Sequence, residues 1–280
     1  MAHPTGLRLT DYAKSYAWPQ HTAMRIRAAA GRTGDLTDLR GDSIWQADEG
    51  ECTGAAPRMG LRIYTKFRGI EMPDVSDQAL YTLGRLQEWA GTNPDLEPEL
   101  VDNGADPAWV LTAAQNVGLI FARDWPGPGD PGHDVAKRNT EPPRELLASA
   151  WARRGLLFHQ VTWAPGTLRE QIDQLHRGGH PVLGVFCADG IQTNPGASIV
   201  RKLPPSRLAN HIVTCLDSTN SVAGRWDNWW RRDSEGIYWG DPSDDPGKRG
   251  TWLLDWSAAE AGMALMLTID FLPPPNGDAA

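Results

Sequence analysis

The hydrophobic pattern of this chain changes its period near residue 178, and this change constrains the fold more than any other feature. Before it, apolar residues recur at three- and four-residue spacings in segments closed by Gly, which is typical of amphipathic helices. After it, short β-branched runs bounded by Gly, Pro and Asn indicate buried strands. Helices followed by strands, without βαβ alternation, predict an α+β fold with a helical N-terminal lobe and an antiparallel β C-terminal lobe.

Helix start signals locate the elements of the first half. A helix is predicted over about 53–67, and Pro57 is tolerable only if it lies in the first turn, which requires a start at Cys52 or the next residue. Ser76 and Asp106 are predicted N-caps of two further helices. Shorter helices are predicted in "EPPRELLASAWARRG" and "TLREQIDQLHRGG".

The strands of the second half are predicted from their composition. They are "HPVLGVFCA", "NHIVTCLD", "GIYWGD", "GTWLLDW" and "MALMLTIDF". We therefore divide the chain into an extension (1–44), a domain (45–272) with a helical lobe of about 45–155 and a β lobe of about 156–272, and a tail (273–280).

Composition excludes several classes of function. A net charge of −8 argues against a nucleic-acid surface, which needs clustered Lys and Arg. Neither a signal peptide nor a membrane-spanning run is visible, and three cysteines do not suit a disulfide framework. We expect a cytoplasmic protein, or a virion-associated one if it is phage-encoded. The chain contains no GxGxxG, Walker, CxxC or HExxH motif, so we expect no cofactor and no metal.

Three residues suggest nucleophilic catalysis. Cys52 precedes the first predicted helix, and a helix N-terminus beside a histidine lowers the pKa of a thiol. His211 opens the apolar strand "HIVTCL", where its ring can stand at a strand end. Asp241 ends "GIYWGD" and could orient that ring. Each also has a structural interpretation: a buried thiol, a polar strand end and a turn former.

The order of these residues resembles the papain-like cysteine peptidases, particularly divergent bacterial and phage-encoded members. The resemblance rests on "QADEGEC", "VSDQALYTLGRLQEWAG", "GGHPVLGVFCADGI", "NHIVTCLDST" and "IYWGDPSDDPGKRGTWLL", and it runs from about 44 to 256. It implies a two-lobed fold with an active-site cleft between the lobes. It further implies that Gln46, six residues before Cys52, supplies an oxyanion donor.

The chain departs from the family pattern in places. Glu49 stands where the family has a structural cysteine, and the partner of that cysteine is missing from "DNGAD", so both halves of one disulfide are gone together. Asp241 replaces the usual Asn, and "WGDPS" matches an Asp-Pro variant of related peptidases. Cys187 and Cys215 fall in apolar strands and are interpreted as structural thiols, with a cross-strand disulfide as the alternative.

The resemblance implies a hydrolase that cleaves peptide or amide bonds through a thioester at Cys52. Three alternatives stay open: a cell-wall peptide amidase, a catalytically inactive structural or assembly protein of a phage particle, and an acyltransferase with the same residues. The insertion 220–235 carries Trp226, Trp229 and Trp230 among arginines. Exposed, it would be a contact surface beside the cleft for a protein or sugar; buried, it would plug a turn.

Overall fold

The computed structural model describes residues 32–42, 44, 50–92, 100, 102–150, 153–187, 199–227, 231–232, 237–238 and 250–271. The helices of these residues are α1 (Thr37–Arg40), α2 (Cys52–Arg68), α3 (Asp77–Thr92), α4 (Pro107–Asn116), α5 (Arg144–Ala150), α6 (Leu168–Arg177) and α7 (Trp256–Gly262). Short 3-10 turns occupy Val135–Asn139 and Ser206–Leu208.

The strands are β1 (Leu156–Gln160), β2 (Val182–Phe186), β3 (Ile199–Val200), β4 (His211–Asp217), β5 (Ala223–Asp227), β6 (Arg231–Arg232), β7 (Ile237–Tyr238), β8 (Thr251–Asp255) and β9 (Leu265–Phe271). Within the described residues, seven of them form one sheet in the order β1-β9-β2-β4-β5-β8-β3. Its pairs are antiparallel except β3 with β8. Helices precede most of the sheet in the chain, so the predicted α+β class is confirmed.

The central helix is α2, which is buried between α3 and the sheet. It begins at Cys52, as the sequence predicts, but Pro57 is its sixth residue and lies in the second turn, beyond the first turn where we expected it. Close packing explains the small residues nearby. A Cβ added to Gly54 would lie 2.1 Å from the backbone oxygen of Asp77, so only glycine lets the start of α3 approach α2 this closely.

The predicted caps are confirmed. The Ser76 hydroxyl accepts a hydrogen bond from the Ala79 N–H at 2.9 Å, and the Asp106 carboxylate accepts one from Ala108 at 2.8 Å. Pro107 occupies the first helical position of α4. Propensity and capping therefore suffice for these starts, because the bonds that decide them are local.

The N-terminal stretch from residue 32 packs against the rest of the chain. Leu36 is completely buried, and its N–H donates to the Leu216 oxygen at 2.7 Å. Arg62 of α2 donates to the backbone oxygens of Arg40 and Asp42, at 3.3 and 2.7 Å. The segment thus contacts both the end of β4 and the central helix.

Strand β5 lies in the segment that we interpreted as an insertion. Trp226, on this strand, is completely buried and packs edge-on against Phe186, with ring centroids 5.1 Å apart. Its side chain is therefore part of the core and no contact surface. Trp229 and Trp230 lie outside the described residues.

Candidate active site

Cys52 is the first residue of the 17-residue helix α2. The N–H groups of the first helical turn point out of the N-terminal end, where the helix dipole favours negative charge. The turn is closed by the Glu51 carbonyl, which accepts from the Gly54 and Ala55 N–H groups at 2.8 and 2.9 Å. A thiolate or an oxyanion is stabilised at such a position.

His211 is the first residue of β4 and lies opposite Phe186 of β2. Its ring stands 6.3 Å from that of Trp252, measured between centroids. The structure therefore confirms that a strand begins at His211, as "HIVTCL" predicts.

Direct contacts show how α2 lies across the sheet. The Thr214 hydroxyl donates to the Ala56 backbone oxygen at 3.3 Å, which fixes the first turns of the helix against β4. One turn later, a Cβ added to Gly60 would lie 2.4 Å from Cδ1 of Ile269, so this part of the helix lies against β9.

The strand register shows in which direction α2 runs relative to β4. Leu183 of β2 is opposite both Thr214 and Leu267, while Val182 is opposite their next neighbours along β4 and β9. Ile269 is therefore level with Leu216, two residues further along β4 than Thr214. Helix α2 consequently advances in the same direction as β4.

The starts of α2 and β4 therefore lie at the same end of this helix–strand contact. Cys52 precedes Ala56 by four residues, about 6 Å of helix, and His211 precedes Thr214 by three, about 10 Å of strand. A third contact agrees with the direction, since the hydroxyl of Tyr64 donates to Asp270 of β9 at 2.6 Å.

Both residues are enclosed. Cys52 and His211 have no exposed surface. Burial lowers the pKa of His211 to about 3, because a charged imidazolium would lose its hydration there. His211 is therefore a neutral ring at pH 7 in this structure.

The other two cysteines are structural. Cys187 and Cys215 are buried free thiols, so the cross-strand disulfide does not form. Burial raises the pKa of the Cys215 thiol well above its usual value, and such a thiol is inert. This agrees with their interpretation as core residues.

Gln46 and Asp241 lie outside the described residues. The strand next to β4 is β5, where Trp226 is opposite Cys215, and the last residue of β5 is Asp227. Arg40 binds the Asp227 carboxylate through two hydrogen bonds. The next residue in the sequence is Asn228. It also lies outside the described residues.

The described part of the chain has neither a membrane-spanning helix nor a metal-binding cluster. None of its helices combines the length and the apolar character needed to cross a membrane. Among the same residues, no cluster of three or more His, Cys, Asp or Glu side chains has a metal-binding arrangement.

No protein-family model and no curated protein sequence matches the chain. Solved structures do match it. Xylellain, a cysteine protease from Xylella fastidiosa, has a TM-score of 0.64 and 17% identity over 97% of this chain and 98% of that one. Procathepsin B S9 from Trypanosoma congolense has 0.62 and 14%, over 97% and 87%. Bromelain from Ananas comosus, in complex with the E64 inhibitor, has 0.52 and 15%, over 85% and 98%. The chain therefore has the papain-like two-lobed fold, and the predicted resemblance is confirmed.

Proposed function

We propose that this chain is a cysteine peptidase or amidase in which Cys52 is the nucleophile and His211 the base. One observation carries the proposal. The first residues of α2 and β4 lie at the same end of one helix–strand contact, in a fold that solved cysteine proteases share. A helix N-terminus and a strand-end imidazole are the environment that a thiol nucleophile requires.

In the proposed reaction, His211 takes the proton of the Cys52 thiol, and the sulfur attacks the carbonyl carbon of a peptide or amide. The oxyanion intermediate collapses, the C–N bond breaks, and His211 returns its proton to the leaving amine. Water then attacks the thioester, with His211 accepting its proton. The products are a carboxylic acid and the regenerated thiol.

Two supporting roles complete the proposal. The Gln46 side chain and the Cys52 backbone N–H bind the oxyanion. A side chain such as Asp241 orients His211 and stabilises its cation. Asn228 is a second candidate for this orienting role, because it directly follows β5, the strand that pairs with β4 at Cys215 and Asp217.

The burial of the two residues requires the site to open during turnover. A reacting carbonyl must come within about 3–3.5 Å of the sulfur, and Cys52 has no exposed surface through which it could enter. Opening also hydrates His211 and moves its pKa back toward the ordinary value of about 6.5, at which it is an effective base.

The same burial favours a rival, a catalytically inactive papain-like protein with a structural or assembly role. Such a protein never exposes Cys52, and His211 stays neutral. A cell-wall peptide amidase and an acyltransferase share the proposed chemistry and differ in their substrate, a cross-linked cell-wall peptide or an acceptor amine.

The test is hydrolysis of a quenched fluorescent peptide library, denatured casein and purified peptidoglycan, with and without a primary amine. Cys52→Ala and His211→Ala should abolish turnover and leave the unfolding midpoint within a few degrees. Cys187→Ala and Cys215→Ala are matched controls, since each removes a buried thiol, and both should remain active.

The outcomes separate the candidates. Release of amines from peptidoglycan, but from neither the peptide library nor casein, identifies the amidase. Incorporation of the added primary amine into a product identifies the acyltransferase. If the wild-type chain hydrolyses none of these substrates and Cys52 stays unlabelled by iodoacetamide from pH 5 to 9, the inactive protein is the correct interpretation.

A further inference from the structure

Gly50, which leads into helix α2, is hydrogen-bonded to a side chain from a distant part of the helical lobe. The Gly50 N–H donates to both carboxylate oxygens of Asp102, at 3.1 Å to Oδ1 and 3.4 Å to Oδ2. Gly50 is buried and lies two residues before Cys52. Asp102 is 52 residues away in sequence, so this bond ties two separate segments together.

A second hydrogen bond holds Asp102 in place. The Tyr81 hydroxyl of α3 donates to its Oδ1 at 2.6 Å, and the same hydroxyl accepts from the Gly104 N–H at 3.1 Å. Tyr81 is completely buried, and the guanidinium of Arg85 lies over its ring at 4.1 Å. Burial raises the pKa of Tyr81, so its hydroxyl remains a donor throughout the working pH range.

These bonds join residues 50–51, which directly precede Cys52, to residues 102–104 and to helix α3. A carboxylate that accepts N–H and O–H donors makes stronger bonds than a neutral acceptor. Residue 51, which follows Gly50, supplies the carbonyl that closes the first turn of α2. A displacement of Gly50 would therefore move the Glu51 carbonyl and the Cys52 backbone N–H, which form the first turn of α2.

We propose that Asp102 is a positioning residue for Cys52, and that its hydrogen bonds to Gly50 and Tyr81 set the position of the nucleophile. This inference rests on the proposed function for its catalytic consequence. Its geometric part concerns only the placement of the Cys52 thiol, which can be measured without turnover.

The chain offers a matched control in Asp106. This residue is also an aspartate that accepts a backbone N–H, from Ala108, but the bond caps α4. Asp106 is completely buried, whereas Asp102 is half-buried, so Asp106→Ala should destabilise the fold at least as much as Asp102→Ala. A merely structural role of Asp102 would make the two variants alike in every other measurement.

The experiment compares Asp102→Ala, Asp102→Asn, Tyr81→Phe and Asp106→Ala by kcat, KM and the iodoacetamide labelling rate of Cys52. Because a misplacement of about 1 Å can cost about 100-fold in rate, we expect Asp102→Ala to lower kcat by about 10- to 100-fold with KM nearly unchanged. Asp102→Asn keeps an oxygen that can accept both donors and should restore most of the rate. Tyr81→Phe should fall between them.

Equal effects of Asp102→Ala and Asp106→Ala on kcat and on Cys52 labelling would overturn the inference. If Asp102→Ala fails to fold, Asp102→Asn and Tyr81→Phe carry the same comparison. Activity that survives Cys52→Ala refutes the proposed function alone. In that case the rate of Cys52 labelling by iodoacetamide still tests the role of Asp102. A rate that changes only in the Asp102 and Tyr81 variants supports positioning of Cys52 by Asp102, and unchanged rates refute it.

Discussion

Arg40 and Asp227 form an ion pair in which both side chains are completely buried. The guanidinium donates from Nη2 to Oδ1 at 2.7 Å and from Nε to Oδ2 at 3.1 Å. The pair joins the N-terminal segment to β5, the strand beside β4. It thereby links residues that precede Cys52 in the chain to the sheet that carries His211.

We predict that removing one member of this pair is strongly destabilising. Asp227→Ala removes the carboxylate that binds the buried Arg40 guanidinium, and breaking a buried ion pair typically costs about 3–5 kcal/mol. Denaturant unfolding measures this loss directly. Asp38→Ala is the control, since this aspartate is exposed and its contact with Arg32 at 3.6 Å should be worth less than about 1 kcal/mol. Similar losses in both variants would contradict the prediction.

A second prediction concerns truncation. Removing residues 1–44 deletes Leu36 and Arg40, both completely buried, and should leave a chain that does not fold cooperatively. Removing residues 1–31 keeps every described contact of the N-terminal segment and should preserve the unfolding midpoint within a few degrees. Circular dichroism melts of the two chains check this. A stable chain that starts at residue 45 would show that these contacts are dispensable.

The helices of this fold could be predicted more fully than the sheet. Ser76 and Asp106 act within one turn of their own helices, so a short window of sequence contains the cause. Strand β5 has no such local signal. Its segment "AGRWD" contains Gly and two charged residues, and its place in the sheet depends on Trp226 packing against Phe186, 40 residues earlier in the chain.

A third prediction follows from the buried His211. Its pKa is about 6.5 in the unfolded chain and about 3 in the fold, so the unfolded state binds more protons between these values. The stability from its neutral form is therefore complete above pH about 6.5 and declines as pH falls toward about 3. At pH 4.5 the loss should be about 2–3 kcal/mol, at 1.36 kcal/mol per pH unit.

Denaturant unfolding at pH 7.5 and 4.5 measures this decline in the wild type and in His211→Gln. The variant should lose less stability between the two pH values, by about 2–3 kcal/mol. His176 also has a lowered pKa because of burial, so a residual decline is expected in the variant. Identical declines would show that His211 is hydrated and titrates normally.

A fourth prediction concerns the charged cluster on α2. Arg58 binds the carboxylate of Asp130 at 2.7 and 2.8 Å and that of the fully buried Asp77 at 3.0 Å. Burial raises the pKa of Asp77 in spite of this neighbour. Arg58→Met should therefore cost about 3–5 kcal/mol at pH 7, because Asp77 is left buried without its cation.

A pH series distinguishes this cause from lost packing. Without Arg58, Asp77 stays protonated to higher pH in the fold than in the unfolded chain, so the variant should regain stability as pH falls below 7. Arg58→Met with Asp77→Asn should be more stable at pH 7 than Arg58→Met alone. If Arg58→Met lowers the free energy of unfolding by the same amount at all pH values, lost packing is the cause instead.

Sequence reasoning could find where Cys52 and His211 lie because each begins its element. Cys52 starts a helix and His211 starts a strand, and such boundaries are marked by local sequence. The contact that brings these boundaries together is not local, since Ala56 and Thr214 are 158 residues apart. Asp102 escaped notice for the same reason, because its partner Gly50 carries no side chain that could signal a bond.

The last prediction concerns the residue that orients His211 in the proposed mechanism. The neighbouring strand β5 ends one residue before Asn228, whereas Asp241 follows β7, which pairs with β6 in a separate two-stranded sheet. We therefore expect Asn228→Ala to lower kcat by about 10-fold or more, since the imidazole loses its preferred tautomer and orientation. If Asn228 holds the ring, Asp241→Ala should leave kcat within about threefold. The pH profile of kcat is the accompanying measurement, and only loss of the true orienting residue should shift its acidic limb. The reverse pattern would assign the role to Asp241, and equal small effects would mean that neither side chain holds the ring.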